Sequence, residues 1–262
     1  MYKKMFVFTT LIISIILSSI VSFADTSIFD QSNLNNGLIH INFPSNENAK
    51  VMIKKENTKY FYNLKSNANF PLQLGNGEYT VAVLEKVQGK KYKLIASEKI
   101  TLQLKNSNNI FLNSVQMIDW NPNMDVIKKA RILIKDAKND KEKVAAIYNY
   151  IINNINYDEA KAKKVSTNYL PSIENTFKTS KGICYDYASL FAAMLRSVNV
   201  PTKLVMGRTS NVPTYHAWNQ VYLKDTNEWV TIDTVYDACL LKNNSPYTMI
   251  KSKNKYTVEK IY

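Results

Sequence analysis

Residues 181–196 read KGICYDYASLFAAMLR. Ala188, Phe191, Leu195 and Val198 recur at helical spacing, so the stretch predicts a helix that opens at Cys184 and ends before Pro201. The opening turn of a helix has unpaired backbone N–H groups and the positive end of the helix dipole, which favour a thiolate over a thiol. Gly182 lets the chain turn sharply and lets a substrate carbonyl approach the backbone. The same N–H groups suit an oxyanion. The alternative is a cysteine packed as a small inert hydrophobe.

A thiol nucleophile needs a base. Beyond the leader described below, the sequence holds His40 and His216. His40 sits between Ile39 and Ile41 in an alternating run, as a solvent-facing strand histidine does. His216 lies in YHAWNQVYL, where alternation puts it on one strand face with Trp218, Gln220 and Tyr222. The base needs an acceptor on its other ring nitrogen. Asp233, in the strand-like run EWVTIDTV, is the candidate. Direct opposition of His216 and Asp233 requires a turn centred between Lys224 and Asp225. The turn residues centre nearer Thr226, about three residues or roughly 10 Å out of step, so a bulge is expected to restore the pair.

Upstream, helical spacing covers residues 124–137 and 140–154, and a polar loop is expected over 156–180. Three strands follow Pro201. Helices then strands make this part α+β. Residues 37–115 instead carry about seven short alternating runs, the last being NIFLNSV, and read as a β-sandwich or open barrel of unknown partner. The boundary is placed at 118/119, near Trp120-Asn121-Pro122.

Residues 1–24 have the form of a cleaved signal peptide: Lys3 and Lys4, an apolar run from Met5 to Ile20, then Ser22-Phe23-Ala24. The expected mature chain, 25–262, is secreted or held at the cell surface without stable membrane insertion. It keeps 32 of the 34 basic residues and all 21 acidic ones, a balance of +11. The lysines are dispersed, which argues against nucleic acid and suits attraction to an anionic cell-wall polymer. Cys184 and Cys239 are the cysteines; one bridge is sparse for a secreted fold of this size. Cys239 is read as a buried hydrophobe, with a redox partnership to Cys184 as the alternative. Two scattered histidines and two distant cysteines offer no metal site, and no cofactor is implied.

Gly182-Ile183-Cys184-Tyr185-Asp186-Tyr187-Ala188, Val200-Pro201-Thr202-Lys203-Leu204-Val205-Met206-Gly207, His216-Ala217-Trp218-Asn219 and Trp229-Val230-Thr231-Ile232-Asp233 stand in the order of the transglutaminase-like core. Over residues 140–235 the sequence resembles that superfamily, as a secreted, bacterial-type member. The resemblance implies a papain-like core, helices on an antiparallel sheet, as the catalytic domain 119–262, behind a β-rich domain 25–118. It implies Cys184 as nucleophile, His216 as general base and acid, and Asp233 as the orienter of His216. Tyr157 is the candidate oxyanion donor, and Trp218 packs beside the histidine. Where family members often read Asp-Pro-Thr, this chain has Asp233-Thr234-Val235. The implied activity is acyl transfer on protein or peptide amides through a Cys thioester, ending in crosslinking or hydrolysis. The alternatives are a cysteine protease or amidase of the cell envelope, and a non-catalytic surface-binding protein with a dormant triad.

Overall fold

The computed structural model describes residues 27–44, 48–64, 68–89, 91–166 and 168–262. The leader expected at 1–24 lies outside the described residues.

Seven antiparallel strands come first: β1 (Phe29–Asp30), β2 (Leu38–Ile41), β3 (Ala49–Lys55), β4 (Thr58–Asn63), β5 (Ala68–Pro71), β6 (Gly77–Gln88) and β7 (Lys91–Leu102). They form two sheets, ordered β1-β2-β5 and β4-β3-β6-β7. Alternation puts Val51 and Ile53 of β3 and Val81 and Val83 of β6 into the same core as Ile39, Ile41 and Phe70. Two expected runs, KYKLIAS and EKITLQL, are one continuous strand, β7, paired along its length with β6. NIFLNSV is not a strand: Ser107–Leu112 is a 3-10 turn that starts where Asn106 accepts a hydrogen bond from the Asn108 N–H. Ile110 and Phe111 are buried there, so apolar content came from a helical turn rather than from alternation.

The helical part has α1 (Asp125–Leu133) and α2 (Asp140–Asn154), both near their expected bounds. Asn139, not Asp140, caps α2 by accepting from the Glu142 N–H at 2.9 Å. The expected loop is structured: β8 (Asn156–Tyr157), α3 (Glu159–Ala162), α4 (Ile173–Thr179) and β9 (Lys181–Gly182), with β8 and β9 parallel. Then α5 (Cys184–Ser197) packs across a sheet of β10 (Thr202–Thr209), β11 (Val212–Leu223), β12 (Glu228–Ile232), β13 (Ile250–Lys251) and β14 (Tyr256–Ile261), with α6 (Thr234–Lys242) between β12 and β13. Five strands stand where three were expected, in the antiparallel order β13-β12-β11-β10-β14. The fold is α+β, helices on an antiparallel sheet behind a β-rich part.

One apolar core runs through both parts, from Phe29 to Tyr262. At the seam the Tyr262 ring meets Tyr60 edge-on at 5.4 Å, and the Ile261 N–H donates to the Tyr60 hydroxyl at 3.0 Å. Arg196 of α5 is buried beside it. Its guanidinium donates to the carbonyls of Thr202 at 2.8 Å, Asn113 at 2.6 Å and Tyr262 at 2.9 Å. Burial lowers its pKa to about 9, which leaves it charged at neutral pH. Truncation would remove a donor from the Thr202, Asn113 and Tyr262 carbonyls and empty the space of a buried side chain, so Arg196→Ala is expected to cost about 3 kcal/mol by urea denaturation. A cost within about 0.5 kcal/mol, the scale of an ordinary surface change, would show the seam to be held otherwise.

Candidate active site

Cys184 is the first residue of α5, and the Ile183 N-cap has no capping side chain. The first intrahelical bond runs from the Tyr187 N–H to the Ile183 carbonyl. The N–H groups of Cys184 and Tyr185 therefore emerge uncapped beside the thiol. The Ile183 N–H is occupied: it donates to Asp186 Oδ2 at 2.9 Å. Asp186 is fully buried and also accepts from Lys161 Nζ at 2.7 Å and from the Tyr169 hydroxyl at 2.5 Å. Burial works against the Lys161 charge, but the bonds to Asp186 and Tyr169 outweigh it and raise its pKa. This cluster ties Lys161 and Tyr169 to the turn that presents Cys184. Its members lie far apart in the chain, so no local pattern in the sequence signals it.

Gly182 makes no sharp turn, contrary to expectation; it lies in β9, hydrogen-bonded beside Tyr157. A Cβ there would fall 2.6 Å from the Asp186 Cβ. The glycine makes room for the buried carboxylate rather than for a substrate.

His216 on β11 is 5% exposed. Its Nε2 meets Asp233 Oδ2 at 2.9 Å, it lines one cavity together with Cys184, and the Trp218 ring stacks 6.3 Å from it at 20°. With Nε2 engaged, Nδ1 is the nitrogen left for the sulfur. Burial opposes the imidazolium, but the bonds with Asp233 and then Cys184 outweigh it and push the His216 pKa up to about 10.

Asp233 is not a strand residue and no bulge interrupts β11 and β12. Their register runs regularly from Asn219↔Ile232 to Leu223↔Glu228, which centres the turn between Asp225 and Thr226. Extended one step, that register sets Asp233 across from Trp218, diagonal to His216. The strand stops at Ile232, and Asp233 becomes the N-cap of α6, its Oδ1 accepting from the Tyr236 N–H at 3.2 Å. Its Oδ2 also accepts from the Tyr256 hydroxyl at 3.0 Å. Tyr256, on β14, went unseen in the sequence because no motif or period links it to the site. Its approach needs Gly207: a Cβ there would lie 2.0 Å from the Thr257 carbonyl oxygen of β14.

Cys184 and His216 open into a cavity of about 340 Å³ lined also by Tyr157, Glu159, Thr214 and Cys239. Burial, then the Cys184 sulfur, raises the Tyr157 hydroxyl to about 12, so it remains a donor. Cys239 is a free thiol, half-buried on this cavity wall rather than sunk in the core as expected. His40 meets Asn69 Oδ1 at 3.1 Å on the far β2 strand, away from these groups. Among the described residues no cluster of three metal-ligating side chains occurs.

Residues 127–234, which hold Cys184, His216 and Asp233, match the family model of the transglutaminase-like superfamily. That segment is similar to the transglutaminase-like core. UPF0252 protein MJ1282 of Methanocaldococcus jannaschii is 28% identical over 211 residues, covering 66% of this chain and 59% of its own length. Kyphoscoliosis peptidase of Mus musculus is 31% identical over 120 residues, 42% of this chain and 18% of the peptidase. The periplasmic domain of TgpA from Pseudomonas aeruginosa aligns with a TM-score of 0.41 at 14% identity, covering 63% of this chain and 72% of that domain. The chain thus spans less than two thirds of either curated relative.

With its pKa near 10, His216 is expected to stay an imidazolium at about pH 8 in ring-labelled nitrogen NMR. In Asp233→Asn the largest raising contact is lost, burial prevails, and the ring is expected to be neutral at about pH 7.5. A neutral ring in the unsubstituted protein at that pH would contradict the arrangement. Tyr256→Phe keeps the ring against Trp218 but removes a donor from Asp233, which makes the carboxylate a stronger acceptor. The His216 pKa is then expected to rise further, and a fall would show that the hydroxyl acts otherwise.

Proposed function

We propose that this chain is a thiol enzyme that transfers the acyl group of a protein or peptide carboxamide through a thioester on Cys184. The observation that carries the reading is that Cys184 and His216 line one cavity while the buried Asp233 holds His216 from behind. The thiolate attacks the amide carbonyl carbon, forming the C–S bond as the carbonyl electrons move to oxygen. The uncapped Cys184 N–H and the Tyr157 hydroxyl hold that oxyanion. His216 gives its Nδ1 proton to the leaving nitrogen, and the C–N bond breaks to release the amine. An incoming amine or water then loses a proton to His216 as it attacks the thioester, and the thiolate departs. Asp233 is a positioning residue in this scheme: with its own lone pairs occupied by Tyr236 and Tyr256, it fixes the tautomer and tilt of His216.

We place the protein outside the cytoplasm, acting on envelope or extracellular polypeptides, with the leader-like residues 1–24 as its export signal and the cationic surface drawing it to anionic wall polymer. Among the described residues no helix is long and apolar enough to cross a membrane.

Mass spectrometry of casein incubated with the protein and a small primary amine tests the activity. Amine incorporation marks transfer, deamidation or cleavage marks hydrolysis, and either is expected to fall by about a thousandfold or more in Cys184→Ala and His216→Ala. In parallel, iodoacetamide is expected to label Cys184 rapidly at neutral pH, and slowly in His216→Ala. An ordinary alkylation profile in both proteins would sink the reading.

A further inference from the structure

A second groove, of about 390 Å³, is lined by chain neighbours of Cys184 and His216. Its walls include Ile183 and Tyr185, the two neighbours of Cys184, and Tyr215, the neighbour of His216. The facing wall comes from the N-terminal sheet, through Lys50, Phe61 and Asn63.

β4 is the edge of its sheet. The Leu64 N–H bonds to the Ala49 carbonyl and the Lys86 N–H to the Asn48 carbonyl, so odd-numbered residues of β3 bond β4 and even-numbered ones bond β6. Antiparallel alternation then turns the N–H and C=O of Lys59, Phe61 and Asn63 outward from the edge. At Asn63 these two groups already have a strand-like partner. The Gln116 side-chain amide accepts from the Asn63 N–H at 3.0 Å and donates to the Asn63 carbonyl at 3.0 Å. Two residues on, Phe61 presents the next such pair at the groove, with its ring 55% exposed beside Tyr215 at 43%. The charged residues lining the groove are Lys50 and Lys260.

We propose that the edge of β4 at Phe61 is a substrate-docking strand, on which the acyl-donor polypeptide adds in extended form with an aromatic or branched side chain against Phe61 and Tyr215 and acidic residues over Lys50 and Lys260. This rests on the thiol-enzyme reading for the identity of the occupant. The N-terminal sheets thereby acquire a role in catalysis, because main-chain pairing supplies affinity without sequence demand while the rings and lysines supply selection. Ile183 and Tyr185, which flank Cys184 in the chain, line this groove, so a strand laid there runs past the start of the helix that carries Cys184.

The test uses the full chain carrying Cys184→Ala, which binds without reacting, and a degenerate heptapeptide pool whose bound fraction is sequenced by mass spectrometry. Enrichment of Asp, Glu, Phe, Tyr, Ile and Val is expected. Phe61→Pro deletes the outward N–H without touching the β3 ladder, and it should weaken binding of an enriched peptide by about fivefold more than Phe61→Ala does. Lys260→Glu should remove the acidic preference. A pool without enrichment, enrichment of Lys and Arg, or equal affinities for the proline and alanine variants would overturn the proposal; thermal melts confirm that each variant is folded. Cys184 alkylation in the otherwise unsubstituted protein separates the two readings. A reactive Cys184 with no edge dependence overturns the docking strand alone. An ordinary Cys184 with edge-dependent acidic peptide binding upholds the docking strand and overturns the enzyme.

Discussion

A carboxylate with no exposed surface must have its lone pairs occupied, and Asp233 organises the molecule around that requirement. One oxygen takes the N–H of Tyr236 and so starts α6. The other takes His216 and Tyr256, and so ties β11 to β14 across the sheet. Three elements distant in the chain are brought to one side chain. The aromatic layer follows from it, with Trp218 between His216 and Tyr256, 6.3 and 5.0 Å from their rings. Water is kept from the far side of the imidazole, and the sulfur side stays open.

The strand that brings Tyr256 is also the strand that meets the N-terminal sheet. Ile261 and Tyr262 at its end contact Tyr60 and Tyr62, and Tyr262 receives Arg196 from the helix that bears the nucleophile. Displacement of β14 would therefore reach Asp233 through Tyr256 and the base of α5 through Arg196. Gly207 is the point where this coupling is tightest, because β14 passes through the volume a side chain there would need.

Much of this was legible in the chain. Cys184 at a helix start and His216 on a strand were readable because each rests on local signals: the 3.6-residue stripe and the alternation in YHAWNQVYL. The pairing geometry was not. Alternation put Asp233 on the correct face, but the predicted need for a bulge assumed that it stayed on the strand. Its side chain reaches His216 from a helix cap instead. The Lys161–Asp186 and Tyr256–Asp233 contacts left no trace because they span 25 and 23 residues, where no periodicity connects the partners. NIFLNSV misled because a buried 3-10 turn and a short strand present the same apolar composition.

The sequence by itself determined the α+β class, the longer helices, Cys184 at a helix start and His216 on a strand, because period, caps and turn residues act within a few positions. Tertiary structure decided how Cys184, His216 and Asp233 come together, which glycine makes room for which neighbour, and that Phe61 of the N-terminal sheet shares a groove with Ile183, Tyr185 and Tyr215. Those outcomes depend on burial of polar groups and on strand order, which bring together residues that no local pattern relates.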